Sequence, residues 1–164
     1  MAANSLENVS VHETALSDTK GVCRLVVPGD QDGMARIGEE HEGDLCFDVP
    51  MISFDEWAMD KDLGHISVCK IDVEGHEPQV LAGMEKTLKQ GEIDAIVFED
   101  HAAPSESLTQ QTLVRHGFQI LRMHKSLRQV HYLKPGDPVI GSRTADYVAI
   151  RPGSEAETRL SPAE

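Results

Sequence analysis

Carboxylates and imidazoles gather twice in this chain, each time directly behind an apolar run. The first group is Asp72, Glu74, His76 and Glu77, following Ile66, Val68 and Ile71; the second is Glu99, Asp100 and His101, following Ile93-Asp-Ala-Ile-Val-Phe98. Such side chains accept hydrogen bonds and exchange protons, so their chemistry is general acid–base work or the holding of hydroxyls. In an open α/β sheet a polar turn behind a buried strand lies at the strand's carboxyl end, where ligands bind. The same acids also suit a purely local role, because a helix N-terminus favours negative charge. Spacing alone leaves both roles open. For Lys70, inside the first run, a structural salt bridge to a neighbouring acid is the simplest role.

The elements that position these groups follow from the pattern. Residues 65–72 read as a strand buried on both faces, rich in β-branched side chains. Gly75 breaks it, His76 stands at a helix N-cap, and Pro78 suits the first turn. Val80, Leu81, Met84 and Leu88 recur at helical spacing, and Gly91 closes the helix. Ile93–Glu99 is a second buried strand. Strands joined through a helix are usually parallel, so both acidic turns should open side by side on one rim. Ser105 or Ser107 starts another helix, with Leu108, Leu113 and Val114 inward and Gly117 as its stop.

Upstream, residues 2–8 read as the end of a helix, residues 9–16 as a strand, and 22–27 as a short strand antiparallel to its neighbour. Residues 28–43 carry five glycines or prolines and no periodicity, which predicts a mobile loop able to lie over a site. An extended piece over 47–52 leads to Ser53, an N-cap for a helix over 54–62. Glu56 completes its capping box, and Phe54, Trp57 and Ala58 face the core. Downstream, residues 118–123 and 128–133 read as strands, 134–138 as a turn, and 145–150 as a last, antiparallel strand. One domain over residues 1–152 and a polar, disordered tail over 153–164 complete the expectation.

Composition narrows the function classes. The chain has 164 residues, 40 % hydrophobic, and a formal charge of −13, which opposes binding to nucleic acid or to an anionic membrane. No apolar stretch approaches the ~20 residues of a membrane span, and no signal-peptide pattern opens the chain. Cys23, Cys46 and Cys69 form no CxxC pair and read as buried or free thiols of a reducing compartment, which predicts a cytoplasmic protein. The eight histidines show no metal-ligand spacing, so no metal is expected.

Val68-Cys-Lys-Ile-Asp-Val-Glu-Gly-His-Glu77, followed by Val80-Leu81-Ala-Gly83, resembles the KIDVEGxE…VLxG signature of FkbM-type methyltransferases. Asn8-Val9 through Asp18 with Gly21, Ile96-Val97-Phe98-Glu99, and Gly117-Phe118 fit the same pattern in order. The resemblance spans nearly the whole chain. It implies a Rossmann-like methyltransferase fold, mostly parallel with an antiparallel C-terminal strand. The cofactor is then S-adenosylmethionine and the acceptor a hydroxyl of a small molecule or glycan. Asp72 and Glu74 then form the polar floor of the acceptor site with Glu99 beside them. His76 and His101 are candidate bases, each as readily a turn residue. Ala15, Leu16 and Asp18 fall where this fold holds the adenine.

The family's glycine-rich cofactor turn has no counterpart, since no two glycines stand at i and i+2. The expectation is an incomplete fold, the carboxyl-terminal two-thirds of a methyltransferase. Backbone N–H groups of that turn supply much of the cofactor affinity. The chain alone should then hold S-adenosylmethionine only at millimolar concentration, be inactive and be poorly soluble. A competing expectation is a non-catalytic Rossmann-like remnant that binds another protein through an uncovered sheet edge.

Overall fold

In a computed structural model the described residues are 6–29, 34–103, 105–125, 130–134 and 145–160. They form two mixed sheets and five helices. The larger sheet has the order β5-β6-β9-β7-β8: β5 Ile66–Ile71, β6 Ile93–Glu99, β7 Gln119–Lys125, β8 Val130–Leu133 and β9 Asp146–Ile150. The smaller has the order β1-β4-β2-β3: β1 Ala15–Ser17, β2 Gly21–Val27, β3 Arg36–Ile37 and β4 Leu45–Ser53.

The mostly parallel sheet expected from sequence is corrected by this topology. β5 and β6 do pair in parallel, with Ile71 opposite Phe98. β9 is antiparallel to both β6 and β7. Three of the five strands therefore point the same way, yet only one pair of them touches. The chain reverses through the β7–β8 pairing, and β9 drops into the gap that a parallel neighbour would have filled. In the smaller sheet β1 pairs in parallel with β4, and β2 runs antiparallel to β4 as expected. Residues 9–14 do not extend β1, so the strand over 9–16 shrinks to its last two positions plus Ser17.

Helices cover both faces of the larger sheet. On one face Ile71, Ile96, Phe98, Tyr147 and Ala149 join the buried faces of α1 Phe54–Asp60, α2 Glu77–Ala82, α3 Glu85–Gln90 and α4 Leu108–Arg115. On the other, Ala95, Val148 and Ile150 pack against Ala156 and Leu160 of α5 Glu155–Leu160. The disordered tail expected over 153–164 is thereby corrected across 155–160. Alternate residues of β6 and β9 face away from the first core and need a cover of their own. That cover stops short of β5, so β5 is an edge strand with one face open and Val68 61 % exposed, not a strand buried twice.

Local signals explain the helix ends. The Ser53 hydroxyl accepts from Glu56 N–H at 3.2 Å, and Ser107 accepts from Gln110 N–H at 2.9 Å. Phe54 and Ala58 are buried and Trp57 packs on their cluster, as expected. The phase of α4 differs: Leu113 is buried, but Leu108 and Val114 are exposed. Ser107 donates to Asp100 and so fixes the helix by its first turn, burying Thr109 and Gln110 instead. The single helix expected over 77–90 is two. It breaks at Gly83, and Gly91 ends the second half in the left-handed conformation. The expectations for residues 2–5, 30–33, 128–129, 135–138 and 161–164 lie outside the described residues.

Gly83 explains the small residue of the VLxG pattern. A Cβ there would overlap the carbonyl oxygen of Ser17 and stand 2.8 Å from its carbonyl carbon. The Gly83 carbonyl in turn accepts from Asp55 N–H at 2.9 Å. Backbone of β1 thus lies directly on the end of α2, with no side chain between the two at this point. Gly83→Ala should destabilise by about 1–3 kcal/mol despite alanine's better helix propensity, because backbone, not a flexible side chain, must move. Thermal denaturation checks this: a loss of several degrees is expected, and an unchanged midpoint would show that the contact is slack.

Candidate functional site

The turn after β5 is built by residues 72–77. His76 N–H donates to the Val73 carbonyl at 3.3 Å, with Glu74 (φ 51°) and Gly75 (φ 95°) at its centre in the left-handed region. Two successive positive φ values define a type I′ turn, and glycine meets the second at no steric cost. Glu74 meets the first at a cost of about 1–2 kcal/mol. The buried Glu77 carboxylate compensates by accepting from Val73 N–H at 3.2 Å and Gly75 N–H at 3.3 Å. His76 occupies the N-cap of α2, but its side chain caps nothing there. Its Nε2 lies 2.9 Å from the hydroxyl of Ser17 instead.

The second turn is held by Asp100. Its carboxylate takes hydrogen bonds from Ala102 N–H at 2.9 Å, from Gln110 Nε2 at 3.1 Å and from the Ser107 hydroxyl. The β5–β6 register then sets Asp72 beside Glu99, one strand spacing (about 5 Å) away. The two turns enclose a cleft of about 270 Å³ lined by Asp72, Glu74, Gly75, Glu77, Glu99, Asp100 and His101. Four of the five proposed catalytic positions meet here. Lys70 reaches Asp72 at 2.7 Å, so the expected salt bridge forms within one strand; Asp72, with Asp146 and Glu99 farther off, raises the lysine above its usual range. His101, 80 % exposed, pairs with Glu99 at 3.1 Å. Glu74 has no such partner among the described residues.

A larger cavity of about 760 Å³ lies between the two sheets. Ala15, Leu16, Phe54, Val80 and Met84 give it a mostly apolar wall, and His76 and Asp72 stand on its rim with the adjoining acids Glu13 and Asp48. Ala15 and Leu16 are therefore together on this wall, whereas Asp18 is exposed, away from it, and accepts from the Ser17 hydroxyl at 3.1 Å. Arg36 and Ile37, within the segment expected to lie over a site, also line the cavity. Among the described residues no set of three or more His, Cys, Asp or Glu side chains is arranged to hold a metal, and no helix is long and apolar enough to cross a membrane.

Residues 2–133 match the family model described as the methyltransferase FkbM domain. The chain belongs to that family. No curated protein and no solved structure matches it. In this FkbM-domain chain, sequence reasoning gave no separate role to three residues that shape the site: Ser17, Glu77 and Asp100. Glu77 and Asp100 sit within the acidic groups, and only the bonds they make separate them from Glu74 and Glu99. Ser17 carries no local signal, since its partner His76 lies 59 residues away.

Cys69 also stands on the wall of the larger cavity, and burial pushes its thiol up from 9.0 to about 11. Deprotonation is then easier in the unfolded chain, so the thiol's contribution to stability is constant below about pH 9 and is lost as the pH rises to about 11. The fall due to this thiol should be about 2–3 kcal/mol. Denaturation at a series of pH values, compared with Cys69→Ala, checks it. The variant should lose less stability over this interval, and an identical slope would show that another group is responsible.

Proposed function

We propose that this protein is an S-adenosylmethionine-dependent methyltransferase acting on a hydroxyl group of a small molecule or glycan, within a Rossmann-like arrangement of its larger sheet. The observation that carries the reading is Asp72, which stands on the wall of both the apolar cavity and the acidic cleft. A methyl group passed from a donor in one to an acceptor in the other would cross at this carboxylate. The cavity's volume lies within the ~300–1,000 Å³ range of small-molecule sites. Its apolar wall suits an adenine ring, and its carboxylates suit a ligand carrying a sulfonium and an ammonium.

Ala15 and Leu16 would pack the adenine. Asp72, Glu74 and Glu99 would accept hydrogen bonds from acceptor hydroxyls, contacts strengthened by their charge. His76 and His101 remain as candidate bases, one on each hollow. When bound, S-adenosylmethionine supplies a methyl carbon on a good leaving group; the side chains of the site align the acceptor oxygen and take its proton.

Titration of the isotope-labelled chain with S-adenosylmethionine, followed by amide resonances, tests the reading. Without a glycine-rich turn the expected dissociation constant is millimolar, with shifts at Ala15, Leu16 and Val73 and none in β7 or β8. Shifts confined to other surfaces, or none at saturating ligand, would overturn it. Asp72→Asn should leave that dissociation constant within about threefold. In a longer protein that restores the family's glycine-rich turn, it should lower methyl transfer to a panel of polyols and sugars by roughly 10²-fold or more, the scale of positioning and electrostatic effects.

A second reading, a protein-binding domain, is favoured by one observation. β5 pairs on one side only among the described residues, beside an exposed Val68. An extended peptide could add there as a strand. It predicts resonance shifts along β5 with a partner protein and none with the cofactor.

A further inference from the structure

Ser17 ends β1 and is 2 % exposed, so bulk water does not reach it. Its oxygen lies 2.9 Å from His76 Nε2 and 3.1 Å from Asp18 Oδ1. An ionised carboxylate only accepts, and a hydroxyl has a single proton to give. Both bonds can be made together in one way: Ser17 donates to Asp18 and accepts from the Nε2–H of His76. A neutral His76 held like this keeps its proton on Nε2, and its Nδ1 carries a lone pair.

We propose that Asp18 and Ser17 are positioning residues that lock His76 in its Nε2–H form, so that Nδ1, on the wall of the cavity that takes the donor, acts as the base toward the acceptor oxygen as it meets the methyl group. The base role rests on the methyltransferase reading. His101 lacks the equivalent device among the described residues: it is 80 % exposed, and its Nε2 meets Glu99. As the acceptor oxygen bonds to the methyl carbon, the carbon–sulfur pair leaves with sulfur. The O–H pair stays on oxygen, and the proton passes to Nδ1. The imidazolium so formed keeps its Nε2–H on Ser17, whose own proton still points to the Asp18 carboxylate. That negative charge stabilises the positive ring through the intervening hydroxyl. Asp18, placed by resemblance against the adenine, thereby takes a different task.

The same bonds also staple β1 to the start of α2, so the test needs a readout that stapling would not move. Long-range proton–nitrogen spectra of the full chain, labelled at histidine and recorded near pH 8.5, report the tautomer without cofactor or acceptor. The His76 ring, assigned by its absence in His76→Gln, should show protonated Nε2 and bare Nδ1. Ser17→Ala should shift it toward a mixture of tautomers, and Ser17→Thr should restore the locked form. Asp18→Ala, at an exposed position, should also loosen the lock. Protonation on Nδ1 in the parent protein, or an unchanged tautomer in both alanine variants, would overturn the assignment. In transfer assays on a longer protein that restores the family's glycine-rich turn, Asp18→Ala should lower kcat about tenfold with the acceptor KM within twofold; an unchanged kcat would remove the base role. Failure of the methyltransferase reading appears separately, as absent cofactor shifts with the tautomer spectra intact.

Discussion

At Gly83 the end of α2 lies so close to the carbonyl of Ser17 that no side chain fits between them, and β1 meets the helix there through bare backbone. Much of what surrounds it serves to keep that contact closed. Asp55 N–H donates to the Gly83 carbonyl, while the Asp55 carboxylate takes Lys86 N–H at 2.8 Å, Thr87 N–H at 2.9 Å and the Thr87 hydroxyl at 2.6 Å. One aspartate of α1 therefore caps α3 and anchors the break between α2 and α3. A continuous helix over 77–90 would carry no such break for Asp55 to grip. The break places Met84 and Leu88 in the core while leaving the start of α2 free to meet β1.

That geometry explains why the polar turn after β5 faces two hollows at once. Ser17 sits against Gly83 with its backbone and against His76 with its side chain, so packing of β1 on α2 and placement of the imidazole are one constraint. On the far side of the turn, the β5–β6 register brings the second acidic group alongside. The parallel pair does this without long side chains reaching across space; adjacent strand ends suffice.

These features differ in how far the sequence discloses them. β5, β6 and the parallel relation between them are local in origin: an apolar run, a glycine, helical spacing and a second run suffice. The caps at Ser53 and Ser107 are equally local. By contrast, the position of β9 between β6 and β7 depends on competition among strands far apart in the chain. α5 exists because β6 and β9 present a second apolar face, which no short window of sequence reveals. Arg151 illustrates the point. Read along the chain it is one charged residue between the last strand and a polar tail, yet its guanidinium lies 4.3 Å from the Phe118 ring and donates to the carbonyls of Ile93 at 2.9 Å, Leu88 at 3.1 Å and His116 at 3.5 Å. It gathers the end of α3, the start of β6 and the end of α4. Three carbonyls from three elements cannot be inferred from the residues next to an arginine.

The acids of the cleft divide by what they already hold. Glu77 and Asp100 are engaged by backbone and hydroxyl donors and fix the two turns. Asp72 and Glu99 carry the cations Lys70 and, when protonated, His101 at solvent-exposed distance, where such pairs contribute little. Glu74 is different in kind. It occupies a left-handed backbone conformation that glycine or asparagine would adopt more cheaply, and its carboxylate meets no partner among the described residues. Stability alone gives no reason for a glutamate at that position. Strain kept in place by Gly75 and Glu77, beneath a carboxylate left free in a cleft, is the pattern expected where backbone energy is spent on holding a ligand group rather than on folding.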